Sequence, residues 1–178
     1  MQNGTRGWRG KLLEFGRLVR ERSRMKKSIE CRRSPIHGNG VFALQAIVRG
    51  TVLCRYGGTL MTHEEADERY GDALESGHTF LFTLNDEYIV DGGRRGTIAR
   101  WINHSCAPNC EAQVVEHPDD RRRDRIEIHA LRDIAAGEEL AYDYGIRLEV
   151  PHTARMKALW PCRCGAPACT GTMLRPKR

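Results

Sequence analysis

The sequence predicts a mostly β, β-rich α+β domain with a metal-stapled C-terminal tail. Three observations lead there. Short apolar stretches with strand-like alternation recur from Ile29 to Tyr144, separated by Gly, Pro, Asn and Asp. Strands do not alternate with long helical patterns, which argues against a doubly wound parallel sheet. Three cysteines, Cys162, Cys164 and Cys169, fall within eight positions beside Gly165 and Pro167.

Taken in order, residues 8–27 read as a helix. Trp8, Leu12, Phe15 and Val19 recur at helical spacing with basic residues between them. Ile29–Arg32 alternates like a strand, residues 34–40 form a glycine-rich turn, and Val41–Leu44 resumes the strand. Val48–Tyr56 supplies a turn and another strand. Thr62-His63-Glu64-Glu65 is a capping box, so a short acidic helix follows through Tyr70. Phe80–Leu84 and Tyr88–Asp91 pair around a turn at Asn85-Asp86. Thr97–Ile102 makes one helical turn. Gln113–Val115 and Arg125–Ala130 form a hairpin whose charged tip, His117–Asp124, is exposed. Ala136-Gly137 turns the chain into a last strand reaching Tyr144. Pro151 and the polar residues after it form a linker.

At 178 residues the chain is long enough for one domain with a core and a small appendage. No apolar run approaches the roughly 18–20 residues of a membrane span, and the N-terminus lacks the pattern of a secretory signal. The net charge of +6 is uneven. Residues 1–28 hold nine Lys or Arg against Glu14 and Glu21, a net of +7. The rest has 20 basic and 21 acidic residues, a net of −1. Such a tail suits nucleic acid, an acidic protein or an anionic surface, or simply solvates a helix. The odd count of seven cysteines argues for metal or thiol chemistry over a disulfide scaffold.

The chemistry concentrates in Arg100-Trp101-Ile102-Asn103-His104-Ser105-Cys106-Ala107-Pro108-Asn109-Cys110. Ser and Asn compete with the backbone for hydrogen bonds, and the residue before proline avoids the helical region. The stretch is therefore expected to be irregular and held by its surroundings. Cys162, Cys164 and Cys169 offer three thiolates, while structural Zn²⁺ takes four ligands. On spacing alone Cys106, Cys110, His104, Cys31 and Cys54 all remain open as the fourth. Tyr142 and Tyr144, two apart in a strand, face one side, as a cation channel wall or as core. Phosphate-loop, nucleophile-elbow and zinc-protease motifs are absent.

These pieces, in this order, resemble the SET-domain protein lysine methyltransferases. The matching runs are His37-Gly38-Asn39-Gly40-Val41-Phe42-Ala43, Tyr56-Gly57-Gly58, Tyr88–Asp91, Arg100–Asn109 and Gly137-Glu138-Glu139-Leu140 leading into Tyr142-Asp143-Tyr144. The cysteine cluster resembles a post-SET motif. The resemblance implies small curved sheets with a pseudoknot, a SET domain over residues 29–146, a linker over 147–159 and a zinc motif over 160–176. It implies S-adenosylmethionine held by Gly38, Asn39, Gly40, Val41, Phe80, Arg100, Asn103, His104 and Tyr144. It also implies catalysis by Tyr144, His104 and Tyr142, and structural zinc on Cys106, Cys162, Cys164 and Cys169. Arg163 and Trp160 are expected near cofactor or substrate. Trp101 stands where the family more often has Phe, and Phe80 where it often has Tyr.

The activity so implied is methyl transfer to a lysine ε-amine of a histone or other basic protein. Tyr142 implies mono- or dimethylation. Residues 1–28 offer a nucleic-acid contact, and no membrane is involved. The expected location is intracellular: nucleus or chromosome in a eukaryote, cytoplasm or secreted effector in a bacterium. The competing readings are a catalytically weak SET module binding chromatin or nucleic acid, and a zinc-stabilised interaction domain without cofactor.

Overall fold

The computed structural model describes residues 28–71, 80–148 and 150–175. The helix expected over residues 8–27, and the basic tail with it, lie outside these.

Among the described residues, three small sheets make the fold. The first begins with β1 (Ile29–Arg33) and β2 (Asn39–Ala43), an antiparallel pair with Cys31 opposite Val41. The turn between them closes when Ser34 N–H donates to the Gly38 carbonyl at 3.0 Å. Gly38 has a φ of 51°, a left-handed conformation that favours glycine.

The second sheet joins β3 (Val52–Tyr56) to β8 (Cys110–Val115) and β9 (Arg125–Ala130), with β9 in the centre. Its sequence, Arg-Ile-Glu-Ile-His-Ala, alternates as a strand with one dry face should. Ile126, Ile128 and Ala130 are buried, while Arg125, Glu127 and His129 are partly exposed.

The third sheet has the order β4 (Thr59–Thr62), β6 (Tyr88–Asp91), β5 (Leu81–Thr83). The pattern reading missed β4. Its four residues fit between Gly57-Gly58 and a helix cap, and pairing with β6 specifies them. Helix α1 (His63–Tyr70) has the expected capping box, with Thr62 and Glu65 bonded reciprocally.

Back in the first sheet, β10 (Glu139–Tyr142) lies between β2 and β7 (Asn103–His104). It runs antiparallel to β2 and parallel to β7, with Ala141 opposite Asn103 and Tyr142 opposite His104. The 100–110 stretch is thus not wholly irregular. Two of its residues form a strand because the distant β10 presents a free edge there.

The three sheets converge on a core that includes Val41, Ala99, Ile102, Ile126, Ile128, Ile134 and Leu140. Ala99 and Ile102 reach it from a 3₁₀ turn at Ile98–Trp101, the helical turn expected there. A second, smaller core joins Leu148, Trp160 and Leu174. The segment expected as plain linker carries helix α2 (Ala154–Leu159), which begins where the Thr153 hydroxyl accepts from Met156 N–H at 3.2 Å. The β8–β9 tip is exposed from Pro118 to Arg123, as expected, and it is also tied to a neighbouring turn. Asn85, from the turn before β6, donates to the Arg121 carbonyl at 3.1 Å.

The turn into β10 is fixed by charge. Glu138 bonds Arg132 at 2.6 Å and the Asn109 amide at 2.8 Å. The Arg132 guanidinium, helped by Asn109 and the Ala135 N–H, holds the Glu138 carboxyl down at about 2 from its ordinary 4.5. A depressed folded pKa stabilises above the unfolded value and is lost as pH falls through the folded one. Unfolding free energy measured in urea is therefore expected to decline from about pH 4.5 to about 2. Glu138→Gln should flatten that decline, and an unchanged slope would show that the Arg132 pair carries no linkage.

Candidate active site and metal centre

The site is built where residues 100–109 cross residues 138–144. Asn109 locks the crossing. Its side-chain carbonyl accepts from Ala141 N–H at 2.8 Å, and its amide donates to the Glu139 carbonyl at 2.8 Å. Its backbone N–H donates to the Ala141 carbonyl at 3.1 Å, and Ser105 N–H donates to the Tyr142 carbonyl at 3.1 Å. Buried polar groups of this kind must be paired, and Asn109, only 3% exposed, is paired through both ends of its amide.

On one side of the crossing four aromatic rings adjoin. Tyr142 and Tyr144 lie 4.9 Å apart by ring centroid, Phe82 lies 6.4 Å from Tyr142, and Tyr56 lies 5.2 Å from Phe82. These distances are ordinary for packed aromatics. Tyr142 ends β10 and Tyr144 stands beyond it, yet their rings meet as the two-residue spacing suggested. The Tyr144 hydroxyl donates to the Ile102 carbonyl at 2.8 Å, and the Tyr56 hydroxyl donates to the Phe80 carbonyl at 2.7 Å. Burial pushes the Tyr142 and Tyr144 phenols above their usual range, so both stay protonated at neutral pH.

His104 faces the same crossing. Its Nδ1 accepts the Tyr144 N–H at 3.2 Å, and its ring lies edge-on to Tyr144 at 5.4 Å. Burial lowers its pKa, outweighing Asp143, so the imidazole is neutral. An Nδ1 that accepts leaves the proton on Nε2, which faces Cys106 Sγ at 3.7 Å. His104 therefore holds the Tyr144 backbone with one nitrogen and addresses the cysteine centre with the other.

The residues expected to hold a cofactor fall into two groups, one around Asn103 and the Gly38 turn and one around Phe80 and Arg100. The Asn103 amide nitrogen lies 3.0 Å from the Asn39 carbonyl and 3.3 Å from that of His37, so it holds the Gly38 turn against β7. It also reaches Ser34 Oγ at 3.1 Å and Glu139 Oε1 at 2.8 Å. A Cβ at Gly40 would sit 2.2 Å from Glu139 Oε1 and 2.9 Å from Ser34 Cβ, so a side chain there would displace the carboxylate that meets Asn103. Val41 beside it is fully buried in the core. Farther along, Phe80 meets Trp101 edge-on at 5.5 Å, and the Arg100 guanidinium lies 4.5 Å over Trp101. Ser34 carries no sequence signal of its own. Glu139 and Asn109 lie in runs that resemble the family, and their bonds to Asn103 and to Ala141 show what they do.

Cys106, Cys162, Cys164 and Cys169 come together, with all four sulfurs within 4.8 Å of one another. The fit to zinc is geometric. Four thiolates about 2.3 Å from a tetrahedral ion are about 3.8 Å apart. Cys106 lies 3.7 Å from Cys162 and 3.9 Å from Cys169. Within the cluster, burial raises the Cys162 thiol, while at Cys164 burial is outweighed by backbone N–H groups of Cys106 and Ala166 and by the Cys162 and Cys169 side chains, which lower it to about 6. Of the other cysteines considered as the fourth ligand, Cys31 is exposed on β1, and burial pushes Cys54 and Cys110 up to about 12.

Trp160 is only 2% exposed and packs with Leu148 and Leu174, so it supports the tail's core. Arg163 is exposed. Arg175 ties the tail back to the site by pairing with Asp143 at 2.8 Å.

If the four thiolates hold zinc, a chelator should release one ion per chain and loosen residues 160–175, read as faster amide exchange there. Cys162→Ser should lower zinc affinity sharply. Retained zinc stoichiometry in that variant would exclude this ligand set.

The family model described as "SET domain" matches residues 38–145. The chain is 37% identical over 172 residues to a Chaetomium globosum protein named "Histone-lysine N-methyltransferase, H3 lysine-4 specific". That match covers 96% of this chain and 15% of the relative. A Neurospora crassa protein of the same name is 38% identical over 162 residues, covering 90% of this chain and 12% of that one. One from Saccharomyces cerevisiae is 37% identical over 172 residues, covering 96% and 15%. The chain thus spans about 15% or less of the length of these relatives.

Proposed function

The chain belongs to the SET domain family, and on that basis we propose that it transfers methyl groups from S-adenosylmethionine to the ε-amine of a lysine in a histone or another basic protein. The observation that carries the reading is the aromatic set Tyr56, Phe82, Tyr142 and Tyr144, placed directly beside the Asn103-His104 crossing. Flat apolar walls with phenol oxygens suit an alkyl chain that ends in an amine. The relatives named for histone H3 lysine-4 support a histone substrate and a chromatin setting. Among the described residues, no helix is long and apolar enough to cross a membrane.

Gly38, Asn39, Gly40 and Val41 would hold the cofactor through their backbone, together with Phe80, Arg100, Asn103, His104 and Tyr144. When bound, S-adenosylmethionine supplies the methyl group, the amine lone pair forming the new C–N bond as the C–S electron pair stays on sulfur. The protein's first task is to present that lone pair. A free lysine has a pKa of about 10.4. The aromatic walls strip water from the ammonium and favour its neutral form, so its proton passes to solvent before transfer. No side chain needs to act as a strong base. The second task is alignment, and rigid walls provide it. The third is to steady the moving methyl through weak C–H···O contacts, for which the Tyr144 hydroxyl and the Ile102 carbonyl, 2.8 Å apart, are suited. His104 contributes by fixing the Tyr144 backbone.

Two variants test this on core histones with labelled cofactor. Tyr144→Phe should lower turnover on the order of a hundredfold while the thermal midpoint changes little. Near-normal turnover would sink the assignment. The Tyr142 hydroxyl can hold a water in the space an added methyl would need, which favours mono- or dimethylation. Tyr142→Phe should therefore shift the product mass spectrum toward trimethyl-lysine, and efficient trimethylation by the unaltered protein would refute that role.

A further inference from the structure

We propose that the tip between β8 and β9 is a clamp that sets the position of β5, the strand that supplies one wall of the aromatic channel, with Asn85 as its positioning residue. The inference rests on the lysine-methylation reading of that channel.

Asn85 lies in the turn between β5 and β6. Its side-chain carbonyl closes that turn, accepting from Glu87 N–H at 3.0 Å and Tyr88 N–H at 2.9 Å. Its amide reaches the opposite way. It donates to the Arg121 carbonyl at 3.1 Å and to Asp124 Oδ2 at 2.8 Å, both on the tip. Every hydrogen-bonding position of the side chain's two polar ends is used, half locally and half across the gap. Asp124 is itself fixed, since its Oδ1 accepts His117 N–H at 2.7 Å. The Arg122 guanidinium donates to the Tyr88 hydroxyl at 2.9 Å. Arg121 adds ion pairs to Asp86 and Glu87. Those pairs are solvent-exposed and individually weak, so the direction of the clamp comes from the Asn85 bonds.

Strand β5 is thereby held at both of its ends, while β6 is also paired along its length with β4. At the site end, the Tyr56 hydroxyl bonds the Phe80 carbonyl at 2.7 Å. At the far end, Asn85 bonds the tip. Between them Phe82 meets Tyr56 and Tyr142. Among the described residues, β5 is a three-residue strand at the edge of its sheet, with β6 as its ladder partner. Release of one end lets it pivot about the other. Methyl transfer needs reacting atoms aligned to well under 1 Å, so a pivot of the Phe82 wall weakens alignment without removing any group that touches substrate.

Asn85→Asp isolates the clamp. The carboxylate still accepts from Glu87 and Tyr88, so the local turn survives. Both donors are lost, and a negative charge faces Asp124 and the Arg121 carbonyl. Asp124→Asn on top of it restores one bond, because the new amide donates to the carboxylate while its carbonyl still accepts from His117. Amide exchange at Leu81–Thr83 should rise at least about fivefold in Asn85→Asp. kcat/KM for a lysine peptide should fall about tenfold, and the double substitution should recover most of both. Exchange or kcat/KM within about twofold of the unaltered protein, or no recovery in the double substitution, overturns the clamp. A protein without any methyl transfer instead fails the functional reading, and the exchange comparison still decides whether the clamp holds β5.

Discussion

The parallel pairing of β7 with β10 is the constraint on which the site depends. A parallel pair cannot be closed by a tight turn. Here the chain leaves Asn103-His104, builds β8 and β9, and returns at Glu139 before the pair can form. Two residues make a weak ladder. Asn109 compensates with side-chain and backbone bonds to Ala141 and Glu139. The Arg132–Glu138 pair then fixes the turn that delivers β10.

That one pairing distributes groups to three places. Asn103 points to the Gly38 turn, His104 to the Tyr144 backbone, and Cys106 to the C-terminal cysteines. The Gly38 turn, the aromatic cluster and the four cysteines are thus linked through six consecutive residues, from Ile102 to Ala107. His104 is the physical link between two of them, neutral by burial and bonded at one nitrogen while the other faces Cys106. The tail adds its own fastening through Arg175 and Asp143 and through the Leu148–Trp160–Leu174 core.

The third sheet answers a different need. It carries Phe82 to the aromatic cluster and is short. The Tyr56–Phe80 bond and the Asn85 bonds to the β8–β9 tip hold its hairpin from two directions. A tip rich in charge and proline reads as solvent-facing because solvated loops have that composition. Residues 118–123 are exposed as that composition predicts, and Asn85 adds bonds to Arg121 and Asp124 from a neighbouring turn.

The sequence by itself determined the strands with clear period-two burial, β9 above all, and the α1 capping box, because those signals are local. It determined the cysteine cluster through spacing, and through resemblance the family and the pairing of Cys106 with that cluster. Only the tertiary structure decided that Asn103-His104 is a strand, that β4 exists, that α2 interrupts the linker, and that Trp160 belongs to a core. Only there did Ser34, Glu139, Asn109 and Asn85 acquire their tasks. The physical reason is common to all of these. Each depends on hydrogen bonds or packing between segments far apart in the chain, and a donor's distant acceptor leaves no periodic trace in the residues around it.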